Sequence, residues 1–219
     1  MCPPLFTRRS SLAFAATVAA GLGASWWLRG QAMTGPALTL TPVVRTVLED
    51  PGSPRAGPAD ADVTLVVFTD YRCSICQATD GALDRLLAED PRARVIFKDW
   101  PIRGPGSEIA ARAALAAHRQ GRYRALHTAL MASRGPLDPA RIEAIAAAAG
   151  LDLPRLRADL ADHADLFDAQ LARHAFQAFS LGLQGTPAYL VGPYLMQGGL
   201  DDRQLAAALR RARRAGPPT

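Results

Sequence analysis

Two thiols three residues apart, Cys73 and Cys76, sit in the stretch Cys73-Ser74-Ile75-Cys76, just after an apolar run, Val63–Phe68. The residues that follow have the spacing of an amphipathic helix, so the pair falls on its first turn and can close a small disulfide ring. A helix start leaves backbone N–H groups unpaired and carries the positive end of the helix dipole. Both favour a thiolate at the first cysteine. A thiolate is the nucleophile of thiol–disulfide exchange, and a second cysteine resolves the mixed disulfide. Half of a zinc site and a purely structural disulfide are the competing readings. Structural zinc needs four ligands, yet the one other cysteine, Cys2, lies in the N-terminal segment. The histidines (His118, His127, His163, His174) are scattered, with no i,i+4 pair. A CxxC beside a β-α-β pattern points instead to a redox pair that needs neither cofactor nor metal.

The elements that must hold this pair follow from periodicity and punctuation. Val63–Phe68 predicts a strand, the turn at Thr69–Arg72 leads into a helix over about Ser74–Glu89, and Arg94–Lys98 predicts a second strand closed by Trp100-Pro101. A long helical block, about 107–183, follows. Ser107 is the expected N-cap, Glu108 stands in the first turn, and Gly121, Gly135-Pro136 and Gly150 divide the block; Asp138-Pro139 starts one of its helices. Ala188–Val191 and Tyr194–Gln197 predict a hairpin across Gly192-Pro193, and Asp201 caps a final helix over about Asp202–Ala212. The order β, α, β, helical block, β, β, α gives a parallel pair with a right-handed crossover and an antiparallel addition. The fold class is therefore α/β, with a mixed central sheet covered by helices and a helical insertion subdomain.

The chain of 219 residues is 49% hydrophobic, enough for one sizeable core, and carries a net charge of +5. That charge is no nucleic-acid signature, because the basic residues are spread over helix faces without interleaved aromatics. Lys98 is the only lysine, so the bias reflects arginine usage. Arg210, Arg211, Arg213 and Arg214 end the last helix, where cations complement the dipole. At the other end, Arg8 and Arg9 precede an uncharged stretch, Ser10–Leu28, stopped by Arg29. Its length falls between a signal-peptide core and a transmembrane helix, so residues 1–32 are expected to be an export signal or an uncleaved membrane anchor. Gly30-Gln31-Ala32 is a mediocre cleavage site, and Trp26 and Trp27 suit an interface belt. Thr7–Leu12 also resembles a twin-arginine signal. Either route places the rest of the chain outside the cytoplasm, in the periplasm or an equivalent space, where disulfides persist. Residues 33–58, rich in Pro and Gly, are expected as a linker plus a short pre-domain element around Val43–Leu48; 59–214 form the main domain.

Four segments together resemble the DsbA-like thiol–disulfide oxidoreductases of the thioredoxin superfamily, over about Ala59–Arg213. They are Phe68–Cys76 (FTDYRCSIC), Phe97–Ile102 (FKDWPI), Gln120–Tyr123 with His127 four residues on, and Gly185–Tyr189 (GTPAY). The resemblance implies a thioredoxin fold in which Cys73 is the exposed nucleophile and Cys76 the buried resolving thiol. Pro187 is then a cis proline facing the CxxC, with Thr186 beside it. Thr186, Pro187, Ser74 and Ile75 would line the substrate site, where an extended segment can pair as an added strand.

The chain departs from the family pattern at several places. Ser74-Ile75 replaces the Pro-His or Pro-Tyr of strong oxidases, and Val67 stands where many relatives carry a buried acid. Asp80 reads as a solvated surface acid, with proton transfer through water as the alternative. Lys98 reads as a solvated strand-end lysine, and His127 as a packing or capping residue. The expected activity is disulfide exchange with protein cysteines, with dithiol oxidation favoured because no dimerisation segment of the kind isomerases carry is evident. The expectation is a monomer that works with protein thiols or disulfides and a membrane redox partner. An extracytoplasmic reductase and a non-catalytic thioredoxin-fold module holding Cu(I) on its two thiolates are the alternatives.

Overall fold

In the computed structural model, which describes residues 35–216, helix α1 (Pro42–Glu49) and the two-residue strand β1 (Arg55–Ala56) come first. They are followed by β2 (Val63–Thr69), α2 (Ser74–Glu89) and β3 (Ala93–Asp99). Five helices come next: α3 (Pro105–Arg119), α4 (Tyr123–Ala132), α5 (Pro139–Ala148), α6 (Leu153–Asp162) and α7 (Ala164–Ser180). The hairpin β4 (Ala188–Val191) and β5 (Tyr194–Gln197) and the helix α8 (Asp202–Ala215) close the order. The expected N-terminal export segment and Cys2 lie outside the described residues. Among the described residues no helix is long and apolar enough to cross a membrane.

The strands form one sheet in the order β1-β3-β2-β4-β5. β2 and β3 run parallel, Val63 against Ala93 through Thr69 against Asp99; β4 is antiparallel to β2 and to β5, and β1 is antiparallel to β3. The central strands are apolar through their middles, Leu65–Phe68 and Val95–Phe97, because both faces are covered. Alternation then sorts their side chains. Val63, Leu65, Val67, Val95, Phe97 and Tyr189 meet α2, α8 and helices α3–α6 in one core. Val66, Phe68, Ile96 and Leu190 meet α1, Trp100 and the end of α7 in the other. Burying each such Val, Leu or Phe contributes about 1.5–3 kcal/mol.

The described part of residues 33–58, expected as linker and pre-domain element, carries α1 and β1. Thr41 caps α1 by accepting the Val44 N–H at 3.3 Å, and Val44, Val47 and Leu48 are buried against the sheet. The start of α3 corrects the expected cap. The helix begins at Pro105 after Gly104, and Ser107 lies inside its first turn. Proline's fixed φ suits the first helical position, while the Ser107 hydroxyl is taken by Asp70 at 2.6 Å. Asp138 and Asp201 cap α5 and α8 as expected.

Candidate active site

Cys73 is the N-cap of α2. Its sulfur accepts the Cys76 backbone N–H at 3.3 Å, so a free N–H of the helix start points at the sulfur. Both cysteines are free thiols. Across from them the Thr186–Pro187 peptide is cis, and the Thr186 carbonyl accepts the Cys73 thiol at 3.3 Å. Two segments that the sequence separates by 113 positions thus meet at one sulfur.

The turn that aims Cys73 is held by Asp70. Its Oδ1 accepts the Arg72 N–H at 2.7 Å and the Ser107 hydroxyl at 2.6 Å; its Oδ2 accepts the N–H groups of Ile102 at 2.7 Å and Arg103 at 2.9 Å. A carboxylate can accept this many bonds at once, and the result ties the ends of β2 and β3 and the start of α3 together. The Gln77 amide adds bonds to the Tyr71 carbonyl at 2.7 Å and the Ser133 carbonyl at 3.1 Å.

The expected exposed nucleophile is corrected: Cys73 is only 1% exposed. Its thiol turns inward to Thr186, so the solvent face of the turn is made by Ser74 and Ile75, both exposed. Gly199 lies against that face, where a Cβ would stand 2.8 Å from methyl groups of Ile75 and Thr79. The hydroxyl of buried Thr186 has no partner among the described residues. Cys76 is buried as well, and burial pushes its thiol up to about 12, with the Cys73 sulfur adding to the rise. Val67, where many relatives carry an acid, packs in the same core as both cysteines.

Two further expectations, for Asp80 and Lys98, are corrected, while His127 packs as expected. Asp80 is no solvated acid: it is 7% exposed and its Oδ1 lies 2.9 Å from His127 Nε2. His127, fully buried, packs among Tyr71, Phe97 and Tyr123, and its Nδ1 lies 3.0 Å from the Tyr71 hydroxyl. The Tyr123 hydroxyl donates to Asp99 at 3.0 Å, and burial raises Asp99 to about 6. Lys98 is fully buried and points to the other face of the sheet. There it forms an ion pair with Asp50 and donates to Ser53 at 2.9 Å, while Ser53 meets His174 Nε2 at 3.0 Å. The partners of Asp80 and Lys98 lie 47 and 48 positions away, a separation that no local periodicity signals. The structure brings together Cys73, Cys76, Ser74, Ile75, Thr186 and Pro187; Lys98 is not among them. Among the described residues, no three or more His, Cys, Asp or Glu side chains are grouped to hold a metal ion.

A model of the DSBA-like thioredoxin domain matches residues 64–210. A thioredoxin-like oxidoreductase from Silicibacter pomeroyi DSS-3 superposes with a TM-score of 0.74 at 38% identity, covering 78% of this chain and 98% of that one. The thiol-disulfide exchange protein alpha-DsbA2 from Wolbachia pipientis gives a TM-score of 0.73 at 27% identity, covering 76% and 90%. Among curated sequences, the Na(+)/H(+) antiporter NhaA 1 of Salinispora arenicola is 32% identical over 158 residues, which are 71% of this chain and 24% of the antiporter. The chain spans about a quarter of the length of the curated relatives it matches. With its five-stranded mixed sheet, its helical insertion and the CxxC at a helix start, the chain has a thioredoxin-like α/β fold and belongs to the family of DSBA-like thioredoxin domains.

Proposed function

We propose that this chain exchanges disulfides with protein cysteines through Cys73 and Cys76, and that its favoured direction is dithiol oxidation. The observation that carries this reading is the Cys73 sulfur, capped by the Cys76 N–H and facing the Thr186 carbonyl of the cis Thr186–Pro187 turn at 3.3 Å. In oxidation, a substrate thiolate attacks the Cys73–Cys76 disulfide at Cys73. A mixed disulfide forms as Cys76 leaves with the electron pair, and a second substrate thiolate then displaces Cys73. The substrate disulfide is formed and both protein thiols are reduced. In the reverse direction Cys76 attacks the mixed disulfide and releases the substrate thiol. Thr186, Pro187, Ser74 and Ile75 line the approach, and the unpartnered Thr186 hydroxyl supplies a hydrogen bond to the incoming segment.

The apolar N-terminal run supports work outside the cytoplasm, with residues 1–32 acting as export signal or anchor and 59–214 as the redox domain. A monomer recharged by a membrane redox partner completes the reading. Exchange with insulin or a model peptide disulfide tests it: wild type is expected to catalyse, and Cys73→Ala and Cys76→Ala to fall to the uncatalysed rate. Wild type no faster than the variants sinks the proposal. A glutathione titration of the pair sets direction, a midpoint near about −130 mV fitting an oxidase and one below about −230 mV a reductase.

A further inference from the structure

The parallel strands β2 and β3 are in register through Thr69 and Asp99, so the turn that carries Cys73 and the loop after β3 stand side by side at one end of the sheet. Each brings an exposed arginine, Arg72 beside Cys73 and Arg103 beside Ile102. The Arg72 side chain lies along the start of α3. A Cβ added at Gly106 would stand 3.1 Å from Arg72 Cδ, and one added at Gly104 would stand 4.0 Å from its Nη1. The two glycines leave room for the stem, and Nη1 donates to the Arg103 carbonyl at 3.1 Å, which fixes the head. The other guanidinium N–H groups of Arg72 have no partner among the described residues, and neither has the Arg103 side chain.

Two further arginines stand on the same flank. Gln77 ties the Ser133 carbonyl to the Tyr71 carbonyl, and the loop so joined to the Cys73 turn carries Arg134, with Arg141 just beyond. Their guanidinium groups bond only to backbone carbonyls and the Ser133 hydroxyl. The acids of the neighbouring elements are engaged elsewhere. Asp70 is buried under four bonds, and Asp138 and Asp201 cap α5 and α8. Asp202 pairs with Arg85, and Glu108 shares its groove with Arg112. Among the described residues the four arginines therefore form no ion pair, although most other arginines of the domain do.

We propose that Arg72 and Arg103 select substrates that carry an Asp or Glu within a residue or two of the reacting cysteine. This rests on the exchange reading above. An extended chain advances about 3.3–3.6 Å per residue, so a carboxylate one or two residues from a cysteine docked at Cys73 comes within reach of Arg72, its chain neighbour. A guanidinium takes a carboxylate through two parallel N–H bonds. Arg134 and Arg141 extend the positive field and steer an acidic segment towards the turn before contact. Charges placed this way act on encounter rate and on choice of partner.

The test reacts the oxidised full-length protein with three dithiol peptides, alike except for Glu, Gln or Lys beside each cysteine. A peptide's own charge also alters its thiols, so each rate is divided by that peptide's rate with hydroxyethyl disulfide, which is neutral. Wild type is expected to favour the Glu peptide over the Lys peptide by roughly 10–100-fold, with Gln between. Raising salt from about 0.01 M to about 1 M shortens the screening length from about 30 Å to about 3 Å and is expected to remove most of the preference. Arg72→Gln with Arg103→Gln is expected to bring the three normalised rates together. Arg103→Gln alone, at a side chain that makes no bond, is expected to give part of that loss and serves should the double variant fail to fold. Arg203→Gln with Arg210→Gln removes the same charge from α8 and is expected to keep the preference. Exchange without a charge preference in wild type overturns this inference alone. So does a preference that survives Arg72→Gln with Arg103→Gln, or one that the α8 variant loses equally. A wild type that exchanges with none of the peptides overturns the exchange reading and this inference with it.

Discussion

Asp70 accepts the Ile102 backbone N–H at 2.7 Å, a bond that ties the turn before the CxxC to the turn after β3. The same carboxylate holds Arg72, Arg103 and Ser107, so one side chain sets the position of the Cys73 turn against two distant segments.

Asp70→Ala should therefore destabilise the protein by about 3–5 kcal/mol, since it strands several buried donors at once. Asp70→Asn, which preserves shape but accepts fewer bonds, should fall between the two. Urea unfolding measures both, and a loss below about 1 kcal/mol for the alanine would show that the turn does not depend on Asp70.

Lys98 and Asp50 form a buried ion pair on the far face of the sheet, with Arg173 3.5 Å from the same carboxylate. Burial opposes the Asp50 charge, but the Lys98 ammonium outweighs it and holds the carboxyl well below its usual range. Removing one partner leaves an uncompensated charge, so Lys98→Met should cost about 3–5 kcal/mol. Adding Asp50→Leu should recover most of that loss. A double-mutant cycle in urea checks it, and strictly additive losses would exclude the coupling.

His174 is buried between Ser53 and the Asp99 carbonyl. Burial, reinforced by Lys98, lowers it to about 3 from an ordinary 6.5. Its folded pKa lies below its unfolded one, so the unfolded chain binds the extra proton and stability falls as pH drops below 6.5. His174→Gln keeps a donor and never titrates. Relative to that variant, wild type should lose about 1.4 kcal/mol per pH unit between 6.5 and about 4. The raised Asp99, near 6 in the folded protein, works in the opposite direction but is present in both proteins and cancels in the difference. Parallel stability curves would show that His174 is not held neutral.

Strands β2 to β5, the α2 helix, the hairpin and the CxxC were legible because each rests on local signals, alternation, 3.6-residue spacing, caps and turn residues, whereas the two-residue β1 carries no such signal. The cis Thr186–Pro187 turn was legible only through its pairing with Cys73–Cys76 as motifs in order. Lys98 and Asp80 were misread because their burial depends on Asp50 and His127, brought in by α1 and α4 from far along the chain. Ser107 was misread as a cap because its true acceptor, Asp70, belongs to the turn after β2. The inward turn of the Cys73 thiol depends on a backbone carbonyl of the opposite loop and left no trace in residue type.

Exchange at Cys73 is tested most directly by trapping. Cys76→Ala incubated with a disulfide-bonded peptide should accumulate a mixed disulfide that mass spectrometry maps to Cys73, while Cys73→Ala accumulates none because burial raises the Cys76 thiol and shields it from the peptide. A mixed disulfide found on Cys76 in Cys73→Ala to the same extent, or on neither residue, would contradict the account.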